Sequence, residues 1–119
     1  PGIDSEFNHI RDFKGYDHPF VIDGWKPNIL GEVGCLREQT SGRCVTVLSS
    51  QPSVMIYTGN WLAGGCPETK TGGRYDDYDG VAIECQNYPD AVNHPDFPSP
   101  LLRPGELYCQ KIVFRFGTF

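Results

Sequence analysis

The glutamate in the stretch "VAIECQ" is the residue of this sequence best placed for acid/base chemistry. Strand alternation puts Glu84 on the opposite face from its apolar neighbours Ile83 and Cys85. Exposure to solvent is the commoner outcome for such a residue, since glutamate is rarely buried unless it is paired. The proline-rich segment 87–100 favours a cleft instead, because rigid irregular loops at strand ends often carry functional sites.

Two further polar residues are candidates for ligand contacts. Asp17 stands in "GYDHPF", where an aspartate in a turn commonly bonds its own backbone, and the adjacent His18 is more often packed or exposed than a ligand. Gln51 in "SSQPSVMIYTGN" directly precedes a predicted strand, a place where a polar residue needs no special reason. Each signal is weak by itself.

The absence of common catalytic and nucleotide-binding motifs limits the reactions that this sequence could support. The sequence has no G-x-S-x-G elbow, no P-loop, no G-x-G-x-x-G and no H-E-x-x-H, which leaves carboxylate acid/base chemistry on a small ligand. His9, His18 and His94 lack the spacing of a metal site, so we expect neither a metal nor another cofactor.

The cysteines and charges indicate a cytoplasmic protein with a neutral ligand. An odd number of dispersed cysteines without a C-x-x-C pair predicts reduced thiols, at Cys35, Cys44, Cys66, Cys85 and Cys109. The net charge of −5 and the scattered lysines and arginines argue against nucleic-acid binding. No apolar run approaches the roughly 20 residues of a membrane span, and we expect no membrane contact.

The elements that must position these side chains are predicted to be β-strands. Fourteen glycines and ten prolines divide the 119 residues into short pieces, and no stretch shows helical apolar spacing over three turns. We predict a strand at "FVIDGW", a hairpin over 31–50 with its turn at "TSGR", and strands at Val54–Thr58, "GVAIECQ" and "LYCQKIVFRF". Residues 63–79 are predicted to form an exposed loop.

Four segments in order resemble the aldose 1-epimerase (galactose mutarotase) family. They are "GYDHPFVID", "SSQPSVMIYTGNWL", "IECQNYPDAVNHPDFPSPLLRPGELY" and "FRF", of which the block from 84 to 105 is the most specific. The resemblance implies an all-β fold of the galactose mutarotase-like β-supersandwich type and a cofactor-free isomerase. Such enzymes interconvert the α and β anomers of aldohexoses such as galactose and glucose.

The resemblance also assigns residues. Glu84 matches the general base of the family, and Asp17 and Gln51 match sugar-binding positions. Mutarotation needs a base at the anomeric hydroxyl and an acid at the ring oxygen. A carboxylate whose pKa is raised by burial suits the base, so we expect Glu84 to be partly buried on a cleft-facing strand. Tyr57, Trp61 and Tyr88 could offer flat faces to the sugar but are more often packing residues.

The sequence departs from the family in one respect, since it has no match to the histidine that acts as the general acid. In the family that histidine precedes the region that this chain resembles. None of His9, His18 and His94 falls in that motif. We therefore expect residues 1–119 to be the C-terminal segment of a single aldose 1-epimerase domain. Alone it would be either poorly stable, associated with a partner segment such as the upstream segment of the same protein, or inactive.

Two other interpretations stay open. The chain could be a non-catalytic carbohydrate-binding or regulatory domain that keeps Asp17, Gln51 and Glu84 as hydroxyl acceptors, or a structural β-domain in which the motif only packs. A hexose phosphate would require a basic pocket, and although Arg74 and Arg103 could contribute, nothing marks them for it. Free sugars are the expected ligands.

Overall fold

Nearly all regular structure is β-strand. The computed structural model describes residues 6–65 and 68–119, so the predicted thiol Cys66 lies outside the described residues. The strands in this part are β1 (Asp17–Val21), β2 (Gly31–Arg37), β3 (Arg43–Ser49), β4 (Ser53–Tyr57), β5 (Ala82–Gln86) and β6 (Ile112–Thr118). They form two three-stranded sheets, ordered β1-β4-β5 and β2-β3-β6. One five-residue helix, α1 (Asn8–Asp12), and a 3₁₀ turn (Ala91–Asn93) complete the elements.

The described chain divides into two compact units. The first contains the described residues through Phe20 together with Met55–Glu84, and the second contains Val21–Val54 and Cys85–Phe119. The sheet β2-β3-β6 lies entirely within the second unit.

The predicted hairpin over 31–50 is confirmed. Strands β2 and β3 pair antiparallel, with Arg37 opposite Cys44 and a register shift between Glu32 and Gly34. The turn closes through the Glu38 N–H, which donates to the Arg43 carbonyl at 2.9 Å. Gly42 has φ of +69°, a conformation that glycine adopts without the steric penalty of a Cβ.

Two strand boundaries differ from the prediction. Strand β1 begins at Asp17, so the expected turn residue is the first residue of a strand. Strand β6 begins at Ile112 and continues to Thr118, later than the predicted start at Leu107. Just before β6, Gln110 and Lys111 are hydrogen-bonded to Ser50 through side-chain and main-chain groups.

The second unit buries a small core but leaves much apolar surface exposed. Val47, at 2% exposure, lies in the middle of β3, which has a paired strand on each side. On β6, by contrast, alternate and adjacent apolar side chains are all exposed: Ile112, Val113, Phe114 and Phe116. An apolar strand exposed on both faces is typical of a surface that another segment covers.

Residues 63–79 form the expected loop over the part that the structure describes, with turns and no strand. Among the helices of the described residues, none has the length and apolar character needed to cross a membrane.

Candidate functional site

Glu84 is the third residue of β5, an outer strand of its sheet, and it belongs to the first unit. Its side chain is exposed, whereas the following Cys85 is 8% exposed, as the strand alternation predicts. The expected partial burial of Glu84 is wrong for this chain. An outer strand has a neighbour on one side only, and the described residues place no further strand beyond β5.

The end of β5 is nevertheless fixed. The Ser53 hydroxyl at the start of β4 donates to the Gln86 carbonyl at 2.8 Å. Cys85 packs its thiol inward, and burial raises the pKa of that thiol despite a hydrogen bond to Ser49. The main chain on the C-terminal side of Glu84 is therefore held in place by a hydrogen bond and a buried side chain.

Asp17 is half-buried at the start of β1. Its backbone N–H donates to Nδ1 of His18 at 2.9 Å. The His18 ring meets Phe13 edge-on, with the ring centroids 5.6 Å apart, and also contacts the rings of His9 and Tyr16. His18 is therefore a packed histidine in an aromatic cluster, which leaves Asp17 as the carboxylate available at this strand end.

A buried polar lock holds the chain where it enters β1. Asn60, at 0% exposure, donates through Nδ2 to the carbonyls of Phe13 and Tyr16 at 2.8 and 3.0 Å. The Thr58 hydroxyl donates to Oδ1 of Asn60 and accepts from the Tyr16 N–H at 3.0 Å. These bonds fix the main chain at Phe13 and at Tyr16, the residue directly before Asp17.

Gly15 fits into this lock because it has no side chain. Its φ is +149°, and a Cβ at this position would lie 2.6 Å from both Asn60 Oδ1 and Thr58 Oγ1. Only glycine allows so close an approach. The "GYD" and "YTGN" segments of the first unit are therefore joined by hydrogen bonds and a close approach at Gly15, and these contacts set the position of Asp17.

Gln51 lies in the second unit, in the connection between β3 and β4, and is 5% exposed. Its backbone N–H donates to the Ser49 hydroxyl at 3.0 Å, and Nε2 donates to the Tyr108 hydroxyl at 2.9 Å. Its Oε1 is buried, and no described residue donates a hydrogen bond to it. Such an oxygen can accept a hydrogen bond from a ligand hydroxyl.

The remaining histidine in the proline-rich segment is committed to local contacts. His94 stacks on Phe97 with ring centroids 4.8 Å apart, and its Nε2 lies 3.3 Å from Asp90 Oδ2. Among the described residues, no group of three or more His, Cys, Asp or Glu side chains could hold a metal ion.

The three aromatic candidates have packing partners. The Tyr57 hydroxyl accepts a hydrogen bond from the Trp61 N–H at 3.0 Å, and the Trp61 ring lies under the Lys14 ammonium at 3.9 Å. Tyr88 meets Phe97 edge-on, with the ring centroids 5.0 Å apart. Trp61 is still half exposed.

The structure places two of the three predicted site residues in one unit. Asp17 and Glu84 lie in the first unit, on the strands β1 and β5 that flank β4. Gln51 lies in the second unit. Reasoning from the sequence missed the supporting residues Gly15, Asn60 and Tyr108; a glycine directly before the candidate "YD" pair was the one local signal of a close approach.

Comparison with known proteins supports the resemblance. The aldose 1-epimerase family model matches residues 3–115. The galactose mutarotase of Homo sapiens is 43% identical over 114 residues, which cover 92% of this chain and 32% of the human protein. The aldose 1-epimerase of Escherichia coli is 37% identical over 123 residues, which cover 96% of this chain and 34% of that protein. That of Haemophilus influenzae is 37% identical over 107 residues, 87% of this chain and 29% of its own length.

This chain thus spans about a third of the length of the curated relatives that it matches. The match covers most of the chain, and its nearly all-β structure agrees with the predicted galactose mutarotase-like fold class, which is confirmed.

Proposed function

Because the chain belongs to the aldose 1-epimerase family, we propose that it takes part in interconverting the α and β anomers of aldohexoses such as galactose and glucose. The relatives named galactose mutarotase and aldose 1-epimerase support this reaction class. The single observation that carries the residue assignment is the exposure of the Glu84 side chain on β5, two residues before the carbonyl that accepts a hydrogen bond from Ser53.

In the proposed mechanism Glu84 is the general base. Its carboxylate takes the proton from the anomeric hydroxyl, the electron pair forms the aldehyde carbonyl, and the bond between the anomeric carbon and the ring oxygen breaks as an acid protonates that oxygen. The aldehyde turns about one bond and the ring recloses on its other face, with both proton transfers reversed. Correctly placed acid and base groups each contribute roughly 10²–10⁴-fold to such a reaction.

Asp17 and Gln51 are proposed to bind sugar hydroxyls and orient the ring. Carboxylate and amide oxygens accept hydrogen bonds from hydroxyl groups. The Gln51 side chain is held by Tyr108, and the Tyr16 N–H, next to Asp17 in the chain, is held by Thr58. The acid is not assigned to the histidines of this chain, since His18 and His94 pack against aromatic rings.

We propose further that residues 1–119 form the C-terminal segment of one aldose 1-epimerase domain, and that the remaining part of the domain supplies the acid. The exposed apolar side chains of β6 and the coverage of about a third of the relatives' length support this assignment. The four described cysteines are free thiols, which supports a cytoplasmic location for the protein.

Polarimetry on freshly dissolved α-galactose tests the proposed function, using the full-length natural protein. We expect the optical rotation to reach equilibrium faster with protein than without it. Galactose binding measured by calorimetry with no acceleration would contradict the enzyme and favour the non-catalytic carbohydrate-binding interpretation. Failure of both measurements would leave only the structural interpretation.

A further inference from the structure

The amide of Gln51 is bonded at one end and unsatisfied at the other. Nε2 donates to the Tyr108 hydroxyl at 2.9 Å, while Oε1 is buried and has no hydrogen-bond partner among the described residues. The residue is 5% exposed, so bulk water does not surround the amide. A buried acceptor without a donor is costly, and each such group in a native structure calls for an explanation.

The main chain around Gln51 is fixed independently of its side chain. The Ser50 N–H donates to the Lys111 carbonyl at 3.0 Å, and the Lys111 N–H donates to the Ser50 hydroxyl at 2.9 Å. The same hydroxyl donates to Oε1 of Gln110. These bonds join the connection before β4 to the segment that carries Tyr108, so both partners of the Gln51 contact are held by a common framework.

The direction of the amide depends on one contact. Tyr108 is the described side chain that bonds the Gln51 amide group, and Tyr108 itself is 59% exposed although its hydroxyl contacts the buried Gln51. With Nε2 held by this hydroxyl, Oε1 points away from Tyr108. The oxygen is thereby presented as a fixed acceptor.

We propose that Tyr108 is a positioning residue, which holds the Gln51 amide so that Oε1 accepts a hydrogen bond from one hydroxyl group of the bound aldose. This inference rests on the proposed function and adds the chemistry of one subsite. The buried acceptor Oε1 requires a hydrogen-bond donor. The bound sugar must therefore carry a hydroxyl group on the ring carbon that lies nearest to Gln51 Oε1. A site built to bond a hydroxyl discriminates against the analogue that lacks it, because its own polar group is then left unpaired.

The test compares Tyr108→Phe with Tyr75→Phe in the full-length protein. Tyr75 is an exposed tyrosine outside the proposed site and serves as the matched control for removal of one phenolic hydroxyl. We expect Tyr108→Phe to raise KM for galactose roughly two- to tenfold, the effect of one hydrogen bond, with a smaller change in kcat. The side-chain amide NMR signals of Gln51, assigned by their loss in Gln51→Ala, should shift in Tyr108→Phe and stay in place in Tyr75→Phe.

A series of monodeoxy galactoses provides a second readout, and its first step uses only the wild-type protein. The wild-type protein should bind one member of the series more weakly than galactose. For that analogue alone, Tyr108→Phe should cause no further loss of affinity, because the hydroxyl that Oε1 would accept from is already absent.

Each outcome decides the inference. Acceleration of mutarotation by the wild-type protein, with KM and the Gln51 signals unchanged in Tyr108→Phe, would overturn it and leave the proposed function intact. Equal affinity of the wild-type protein for galactose and every monodeoxy analogue would also overturn it. If the wild-type protein neither binds galactose nor accelerates mutarotation, the proposed function fails and the inference fails with it.

Discussion

Replacing Gly15 with alanine should destabilise the protein through the lock that precedes Asp17. The added Cβ would lie 2.6 Å from Asn60 Oδ1 and from Thr58 Oγ1, so the lock must open or the chain must move. Leaving a buried polar group of Asn60 without its partner costs about 1–3 kcal/mol. The φ of +149° adds strain of order 1–3 kcal/mol for a residue with a side chain. We expect a total loss of about 2–6 kcal/mol.

Gly24→Ala is the matched control for backbone strain. Gly24 has φ of +68°, but a Cβ there would meet nothing within 4 Å, so the variant adds strain without crowding. Its expected cost is about 1–2 kcal/mol. Urea unfolding of the full-length protein, followed by tryptophan fluorescence, gives both free energies. If Gly15→Ala loses no more stability than Gly24→Ala, the lock does not have the role assigned to it.

Two further predictions concern titratable groups in the second unit. A hydrogen bond from the Ser41 side chain, followed by the Thr40 and Ser41 N–H groups, lowers the pKa of Glu38 from 4.5 to about 2. The stability from this lowered pKa is fully present above pH 4.5 and is lost as the pH falls through 2. As the pH falls through that range, the urea midpoint of unfolding should therefore fall more in the wild-type protein than in Glu38→Gln. An equal fall in the two proteins would contradict the hydrogen bonds assigned to the Glu38 carboxylate. For the thiols, a hydrogen bond with Thr46 and then Arg37 lowers the pKa of exposed Cys35, whereas burial raises that of Cys85. Because the thiolate is the reactive form, mass spectrometry should find iodoacetamide on Cys35 well before Cys85, and the reverse order would refute the assignment.

Local patterns made part of the fold predictable. The hairpin β2-β3 follows from alternating β-branched residues and a glycine-containing turn, which are both signals within a few residues. The placement of Glu84 and Cys85 on opposite faces of β5 follows from strand alternation alone. The short helix α1 was not predicted, since five residues are too few to show a helical period.

The supporting contacts of the site could not be predicted from local patterns. Asn60 bonds the Tyr16 carbonyl across 44 residues of sequence, and Gln51 bonds Tyr108 across 57. Such pairs depend on how the strands and loops fold together, and the types of residue involved are equally common on surfaces. The expected partial burial of Glu84 was wrong because it assumed a cleft beside the strand, whereas β5 has a neighbouring strand on one side only among the described residues.

Anomer exchange in the Glu84→Gln variant tests the central claim most directly. Two-dimensional exchange NMR on galactose with the full-length protein reads the rate of interconversion, and shifts of protein signals in the same sample read binding. Glu32→Gln, an exposed strand glutamate in the other sheet, is the matched control. We expect Glu84→Gln to slow the catalysed exchange roughly 10²–10⁴-fold while galactose still binds, and Glu32→Gln to keep the wild-type rate. Wild-type exchange in Glu84→Gln would contradict the assignment of Glu84 as the general base.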